Sequence, residues 1–207
     1  MPYRKNPLFA GGYYHVFNRG TEKRDIFLDR KDKERFLTKL IKYLEEEQVS
    51  LLAFCLMPNH FHLLVKQSSD KAISTFMRKL CTAHSMYFNK RYNRVGPLFQ
   101  GRFKANLIES EAYLLQVSRY INLNPLELIL DKLKDGSSEK TRPLISACLL
   151  GYSWSSFHEY LGEGGFDICN LELLDYFSKS YQDLSYKNFV LDGVKDFIEG
   201  KLASEDF

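Results

Sequence analysis

Negative charge is missing from one long stretch of this chain. Between Lys71 and Ile108 there is no aspartate or glutamate, while Lys71, Arg78, Lys79, Lys90, Arg91, Arg94, Arg102 and Lys104 give the stretch a charge of +8. The net charge is only +3, so the remainder stands at −5, with 21 basic against 26 acidic residues. Tryptophan occurs once, and the four cysteines, Cys55, Cys81, Cys148 and Cys169, form no CxxC pair. That spacing excludes a thiolate metal knuckle and leaves buried free thiols in a reducing compartment as the expected state. The longest apolar run, Leu51 to Met57, falls far short of the ~20 residues that cross a bilayer. Met1 to Ala10 carries no apolar signal segment. A cytoplasmic protein with no membrane partner is expected.

What is present can build a core: 207 residues, 44% of them hydrophobic, with 16 Phe and 13 Tyr. Tyr13 to Asn18 reads as a strand. Asp29 is placed to cap a helix to about Gln48, with Phe36, Leu37, Leu40, Ile41 and Leu44 at helical spacing. Ser50–Leu56 and His60–Lys66 read as a hairpin turned at Pro58-Asn59. Asp70 is expected to cap a second helix to about Asn89, with His84 packed on its apolar face. A fourth strand is expected over about Arg102 to Ile108, and Ser110 is placed to cap a third helix through Tyr120. The order β-α-β-β-α-β predicts an α+β fold: a ferredoxin-like, split β-α-β antiparallel sheet with helices on one face. The third helix follows the last strand. Asp131 to Pro143, with Gly136-Ser137-Ser138, reads as a linker or loop. Ser155–Leu161, Leu171–Ser178 and Tyr186–Ile198 read as helices, giving a domain over 1–161 and an acidic helical C-terminal extension over 162–207. That extension has 10 acids against 4 lysines and no assigned role.

Pro58-Asn59-His60-Phe61-His62-Leu63-Leu64 carries the chemistry. Side chains alternate along a strand, so His60 and His62 share a face and Phe61 and Leu63 take the other. Two neighbouring imidazoles make half of a divalent metal site. Tyr120 and Asn124 are four apart and share a helix face. A tyrosine one turn from an amide oxygen, opposite two imidazoles, suits phosphoryl transfer: the metal polarises a phosphate oxygen and the phenol attacks phosphorus. Competing readings stand beside these. An isolated His-x-His is often just two half-exposed strand residues. A zinc hydrolase would gather a further His, Cys, Asp or Glu. Asn124-Pro125 also fits a helix N-cap followed by proline at the first helical position, and ligand and cap weigh about equally. His15 reads as structural or as a residue near the site.

The basic block interleaves Tyr87, Phe88, Tyr92, Phe99 and Phe103, which suits a phosphate backbone with bases to stack on. A solvated helix face is the plainer alternative. Arg102 and Lys104, alternating with Phe103, are the preferred phosphate contacts, with Arg78, Lys79, Lys90, Arg91 and Arg94 behind them. Arg19 and Arg24 in the first loop are weaker candidates.

Met57-Pro58-Asn59-His60-Phe61-His62-Leu63-Leu64 resembles the HUH motif (His, hydrophobic, His) of single-tyrosine transposases. Four further stretches fit in the same order: Tyr14-His15-Val16-Phe17-Asn18-Arg19-Gly20, Gly96-Pro97-Leu98-Phe99-Gln100-Gly101-Arg102-Phe103-Lys104, Ser118-Arg119-Tyr120-Ile121-Asn122-Leu123-Asn124-Pro125, and Ser153-Trp154-Ser155-Ser156-Phe157. Over roughly Tyr13 to Leu161 the chain is most similar to the REP-associated tyrosine transposases, a domesticated branch of the bacterial insertion-sequence transposases. The resemblance implies a metal-dependent enzyme that cleaves and rejoins single-stranded DNA near a hairpin, using Mg²⁺ or Mn²⁺ and a 5′-phosphotyrosine intermediate. Tyr120 would be the nucleophile, and His60 and His62 metal ligands. Asn124 falls where insertion-sequence relatives place a glutamine ligand. A non-catalytic hairpin-binding protein and an HUH replication initiator are the alternatives. Monomer and homodimer both stay open.

Overall fold

The structure, a computed structural model, describes residues 8–133 and 141–200. By its contacts the chain divides into two compact units. The first joins the chain up to Leu51 with Leu56–Ile108, and the second joins Leu52–Cys55 with the chain from Glu109 on.

The first unit follows the expected order. β1 (Tyr13–Arg19), α1 (Arg30–Glu47), β2 (Val49–Leu56), β3 (His60–Gln67), α2 (Ala72–Arg91) and β4 (Lys104–Ile108) run in sequence. The strands form one sheet in the order β2-β3-β1-β4. β1 is its centre, antiparallel to both β3 and β4. The α+β, split β-α-β architecture is as the sequence predicts.

Local chemistry explains most boundaries. Asp29 caps α1, its carboxylate accepting from the Asp32 amide at 3.1 Å, and α1 ends at Gln48 in the left-handed region. Phe36, Leu37, Leu40 and Leu44 are buried, whereas Ile41 turns outward at 43% exposure. The β2–β3 turn closes with the Met57 amide on the His60 carbonyl, 2.9 Å. Two expected details differ. Asp70 does not cap α2: Lys71 holds the cap position without a side-chain bond, and the Asp70 carboxylate accepts from the Ala10 amide at 2.8 Å. β4 begins at Lys104, so Arg102 lies before the strand and does not alternate with Lys104 along it.

Strand parity sorts the first unit into two faces. On one, Phe61 packs against Phe36 of α1 with ring centroids 5.0 Å apart. His84 of α2 fills the same core, its Nε2 on the Ile26 carbonyl at 2.8 Å and its ring among Phe27, Phe36 and Phe99. Burial lowers its pKa to about 4, so the ring is neutral.

The second unit is helical. α3 (Glu111–Leu123) is capped by Ser110, which accepts from the Tyr113 amide at 3.2 Å, and it runs three residues past the expected Tyr120. A 3₁₀ segment (Asn124–Ile129) and α4 (Leu130–Leu133) follow, so part of the expected linker is helical; Gly136-Ser137-Ser138 lies outside the described residues. Beyond it come α5 (Arg142–Gly151), α6 (Phe157–Leu161), α7 (Leu173–Ser180), α8 (Tyr186–Asp192) and α9 (Val194–Ile198).

The expected single helix over Tyr186–Ile198 is broken at Gly193. There ψ relaxes to −5°, and the glycine leaves room for Arg119, since a β-carbon would lie 2.6 Å from its Cδ. Arg119 crosses this glycine with its guanidinium 4.6 Å from the Phe189 ring. A buried polar chain ties the C-terminal helices to α3. Ser118 and Asn122 both meet the Tyr186 hydroxyl at 3.0 Å, and the Ser156 hydroxyl donates to the Asn122 amide oxygen at 2.8 Å. The segment beyond 161 is thus part of the core around α3.

Candidate nucleic-acid processing site

The second face of the first unit's sheet collects the polar chemistry. Residues paired across strands share a face. The register pairs Arg19 with His60, Phe17 with His62 and Tyr13 with Lys66, and also Phe17 with Lys104 and His15 with Asn106. Tyr13, His15, Phe17, Arg19, His60, His62, Lys66, Lys104 and Asn106 therefore stand on one side. The His60 and His62 rings lie 5.0 Å apart at 87°, and His62 stacks on His15 at 5.0 Å.

Each histidine of the pair is held through Nδ1. His60 Nδ1 meets the Asn59 side-chain oxygen at 2.6 Å, and His62 Nδ1 meets His15 Nε2 at 2.8 Å. Both imidazoles can therefore address a ligand only through Nε2. His15 and His62 are fully buried and His60 is 6% exposed. Burial lowers the His15 pKa to about 3. Burial also carries His62 well below the usual range, with the neighbouring His60 and His15 adding to the shift. His15 and His62 are therefore neutral, the protonation state in which an imidazole can ligate a metal. Asn59 and His15 received no firm role from the sequence; the signal for His15 was its odd-number parity with Phe17 and Arg19.

In the second unit, Tyr120 and Asn124 occupy one face of α3. The Asn124 amide donates to the Tyr120 carbonyl at 2.9 Å. Asn124 is therefore not the expected N-cap: Leu123 holds that position, and Asn124 closes the C-terminal end of α3. The helix runs on to Leu123, so the Asn-Pro pair closes α3 and opens the 3₁₀ segment, with Asn124 inside that segment rather than at its cap. The Asn124 side-chain oxygen is buried with no hydrogen-bond partner among the described residues. Tyr120 is 5% exposed, with its ring 5.7 Å from Phe197 of α9. Burial pushes its phenol well above the ordinary range; the charge of Glu127 adds to the shift and Asn124 opposes it.

The basic block divides. Lys79 pairs with Glu46 at 2.9 Å and Glu47 at 2.5 Å. Arg91 pairs with Asp29 at 2.5 Å and with the fully buried Asp32 at 2.7 Å. The Asp32 carboxylate also accepts from Tyr87, Tyr92 and the Leu28 amide. Lys79 and Arg91 are thus ion-paired within the unit, because the packing of α1 on α2 brings acids onto a stretch that has none. Arg78, Lys90, Arg102 and Lys104 are exposed. Arg94 is half-buried over the Phe88 ring. Arg19 is half-buried, and its Nε donates to the Gln100 side-chain oxygen at 2.5 Å. Arg24 pairs with Glu22.

Among the described residues, no helix is long and apolar enough to cross a membrane. In the same residues, no group of three or more His, Cys, Asp or Glu side chains could hold a metal ion. A set made of two imidazoles and an amide oxygen is not of that kind.

No curated protein matches the chain. Among solved structures, a REP-associated tyrosine transposase bound to a REP hairpin matches with a TM-score of 0.56 at 16% identity, over 81% of this chain and 89% of that one. A putative transposase from Deinococcus radiodurans matches at TM-score 0.41 and 17% identity, over 57% of this chain and 95% of that one. A tRNA(His) guanylyltransferase from Saccharomyces cerevisiae matches at 0.40 and 11%, over 91% and 80%. The first establishes the shared fold; the other two are too distant to carry an argument. The model of the IS200-like transposases matches residues 9–124, more than half of the chain and the span that contains the histidine pair, Tyr120 and Asn124. The chain belongs to the IS200-like transposase family.

Proposed function

We propose that this protein is a metal-dependent single-stranded DNA transposase that cleaves and rejoins DNA near a hairpin through a 5′-phosphotyrosine intermediate. The observation that carries the reading is the histidine pair itself: two buried rings on one strand face, each held at Nδ1 and directed through Nε2, in a chain of a transposase family.

The two imidazoles fit a divalent ion: His60 and His62 would hold it through Nε2. Asn124 of the second unit stays the third-ligand candidate of the sequence, its side-chain oxygen buried with no hydrogen-bond partner among the described residues. Imidazole nitrogen with an amide oxygen suits Mn²⁺ at least as well as Mg²⁺, which prefers oxygen donors. When bound, the ion would supply Lewis-acid polarisation of the scissile phosphate.

The chain's own residues carry the remaining steps. The Tyr120 phenol oxygen attacks phosphorus, and the bond from phosphorus to the 3′ oxygen breaks. The phenol's proton ends on that oxygen as a free 3′-OH, while the 5′ phosphate remains on Tyr120. Attack by another 3′-OH reverses the exchange, so joining needs no external energy source. Because the Tyr120 phenol lies well above its ordinary pKa, it is protonated at neutral pH. It must lose its proton during attack rather than wait as a phenolate. Lys104 and Arg19, on the histidine face, and Arg102 ahead of β4 are the phosphate contacts of choice. Arg78, Lys90 and Arg94 extend the path, and Lys79 and Arg91 are set aside because acids of the first unit meet their charge.

A second reading, a hairpin-binding protein without the chemistry, is favoured by one observation: Tyr120 is 5% exposed and covered by Phe197. One experiment separates the two. The protein is incubated with labelled hairpin DNA, of the kind the solved relative is bound to, and Mg²⁺ or Mn²⁺. The catalytic reading expects an SDS-resistant covalent adduct that disappears in Tyr120→Phe while hairpin binding persists. Retention of hairpin DNA with no adduct in the unaltered protein would establish the binding-only reading instead.

A further inference from the structure

The histidine pair depends on which nitrogen of each ring carries the proton. A neutral imidazole ligates through the nitrogen without one, and its other nitrogen is held by a hydrogen-bonding neighbour. For His60 the neighbour is Asn59, and its orientation is fixed by a third group. The Asn59 amide nitrogen donates to the Lys23 carbonyl at 3.2 Å. A carbonyl only accepts, so the NH₂ end of Asn59 must face Lys23 and the oxygen must face His60. At 2.6 Å from that oxygen, His60 Nδ1 can only be the donor. His60 Nδ1 therefore carries a proton, and in the neutral ring the lone pair is on Nε2.

The same logic reaches His62 through a different residue. His62 Nδ1 lies 2.8 Å from His15 Nε2, and one of the two must donate. Ligation through His62 Nε2 requires that His62 Nδ1 carry the proton and His15 Nε2 accept it. Asn59 precedes the first histidine in sequence, while His15 comes from β1, 47 residues away. Two unrelated neighbours thus hold the same atom of two adjacent rings.

We propose that Asn59 and His15 are positioning residues that set His60 and His62 to the Nδ1-protonated tautomer and so present both Nε2 lone pairs on one sheet face. The inference rests on the reading of His60 and His62 as metal ligands. Neither residue touches DNA or metal in this role; each acts through the histidine it holds. Asn59 is the stronger case, because the Lys23 carbonyl removes the ambiguity that two facing imidazoles leave.

The tautomers are measurable without DNA and without activity. Long-range ¹H–¹⁵N spectra of the imidazoles in the metal-free full chain should report both His60 and His62 protonated at Nδ1. Asn59→Leu should release His60 into a tautomer mixture, while Asn59→Asp, which keeps an acceptor oxygen, should restore the Nδ1 form. His15→Phe should release His62 alone, and His15→Gln should restore it in part. Mn²⁺ affinity, read by loss of the free-ion EPR signal, should fall roughly 10- to 100-fold in Asn59→Leu and recover in Asn59→Asp. Should His15→Phe fail to fold, the Asn59 pair decides the matter. Unchanged His60 and His62 tautomers in folded Asn59→Leu and His15→Phe would overturn the proposal, as would an Nε2-protonated His60 in the unaltered protein. If the unaltered protein binds no Mn²⁺, the metal reading of the site fails, and the tautomer spectra still decide the positioning role.

Discussion

The two units bury polar chemistry by different means. The first holds rings that can take up a proton: His15, His62 and His84 are all 3% exposed or less, and all are kept neutral by burial. The second holds its interior together with Ser118, Asn122, Ser156 and the Tyr186 hydroxyl, groups with no proton to gain between pH 4 and 7. One polar core is conditional on pH and the other is not. The difference follows from the side chains. An imidazole is a base, and a buried base is vulnerable to acid. A chain of hydroxyls and amides has only to be satisfied.

Acidification should separate the two most sharply. A histidine whose folded pKa is depressed contributes stability that is complete above its unfolded value, near 6.5. That contribution is lost as pH falls toward the folded value, because only the unfolded chain can take the proton. For His84, whose folded value is about 4, the loss across that window is about 3 kcal/mol. Urea midpoints at pH 7 and pH 4.5 should differ accordingly, and His84→Gln should reduce the difference. An equal pH dependence with and without His84 would remove the contrast.

Tyr186→Phe probes the other side of the comparison. It strips the hydroxyl from Ser118 and Asn122, leaving buried polar groups unsatisfied at a cost of about 1–3 kcal/mol. Thermal unfolding should register that loss equally at pH 7 and pH 4.5. A loss that grows with acidity would mean the second unit is also conditional.

The smallest expected effect concerns charge on the first unit's surface. Lys104→Ala should lower the slope of log affinity for hairpin DNA against log salt by about one phosphate contact, whereas Lys79→Ala, already paired with Glu46 and Glu47, should leave it unchanged. Equal slopes for the two variants would show that ion pairing within the unit does not sort the basic residues.

Much of the first unit was legible because its signals are local. Alternation along β3 is enough to put His60 and His62 on one face, and Asp29 lies next to the helix that it caps. Asn124 misled because an Asn-Pro pair looks the same at the start of one helix and the end of another. Only the three further residues of α3 decide which it is. The charge run from Lys71 misled for a different reason: its counter-charges sit on α1, and no property of the run itself reveals that Lys79 and Arg91 are matched there. The C-terminal helices were least legible. Their hold on α3 includes one tyrosine hydroxyl meeting partners 64 and 68 residues earlier, a contact with no periodicity to announce it.

The pairing register of β1 has one more consequence. His15, Arg19, His60, His62 and Lys104 share a face because each stands at the right parity on its own strand. A single-residue insertion in β1 would turn His15 and Arg19 to the hydrophobic side and bring Tyr14, Val16 and Asn18 to the histidines in their place. Change to this strand is therefore confined to substitutions and two-residue steps. The sheet works as a parity check on its own histidine face.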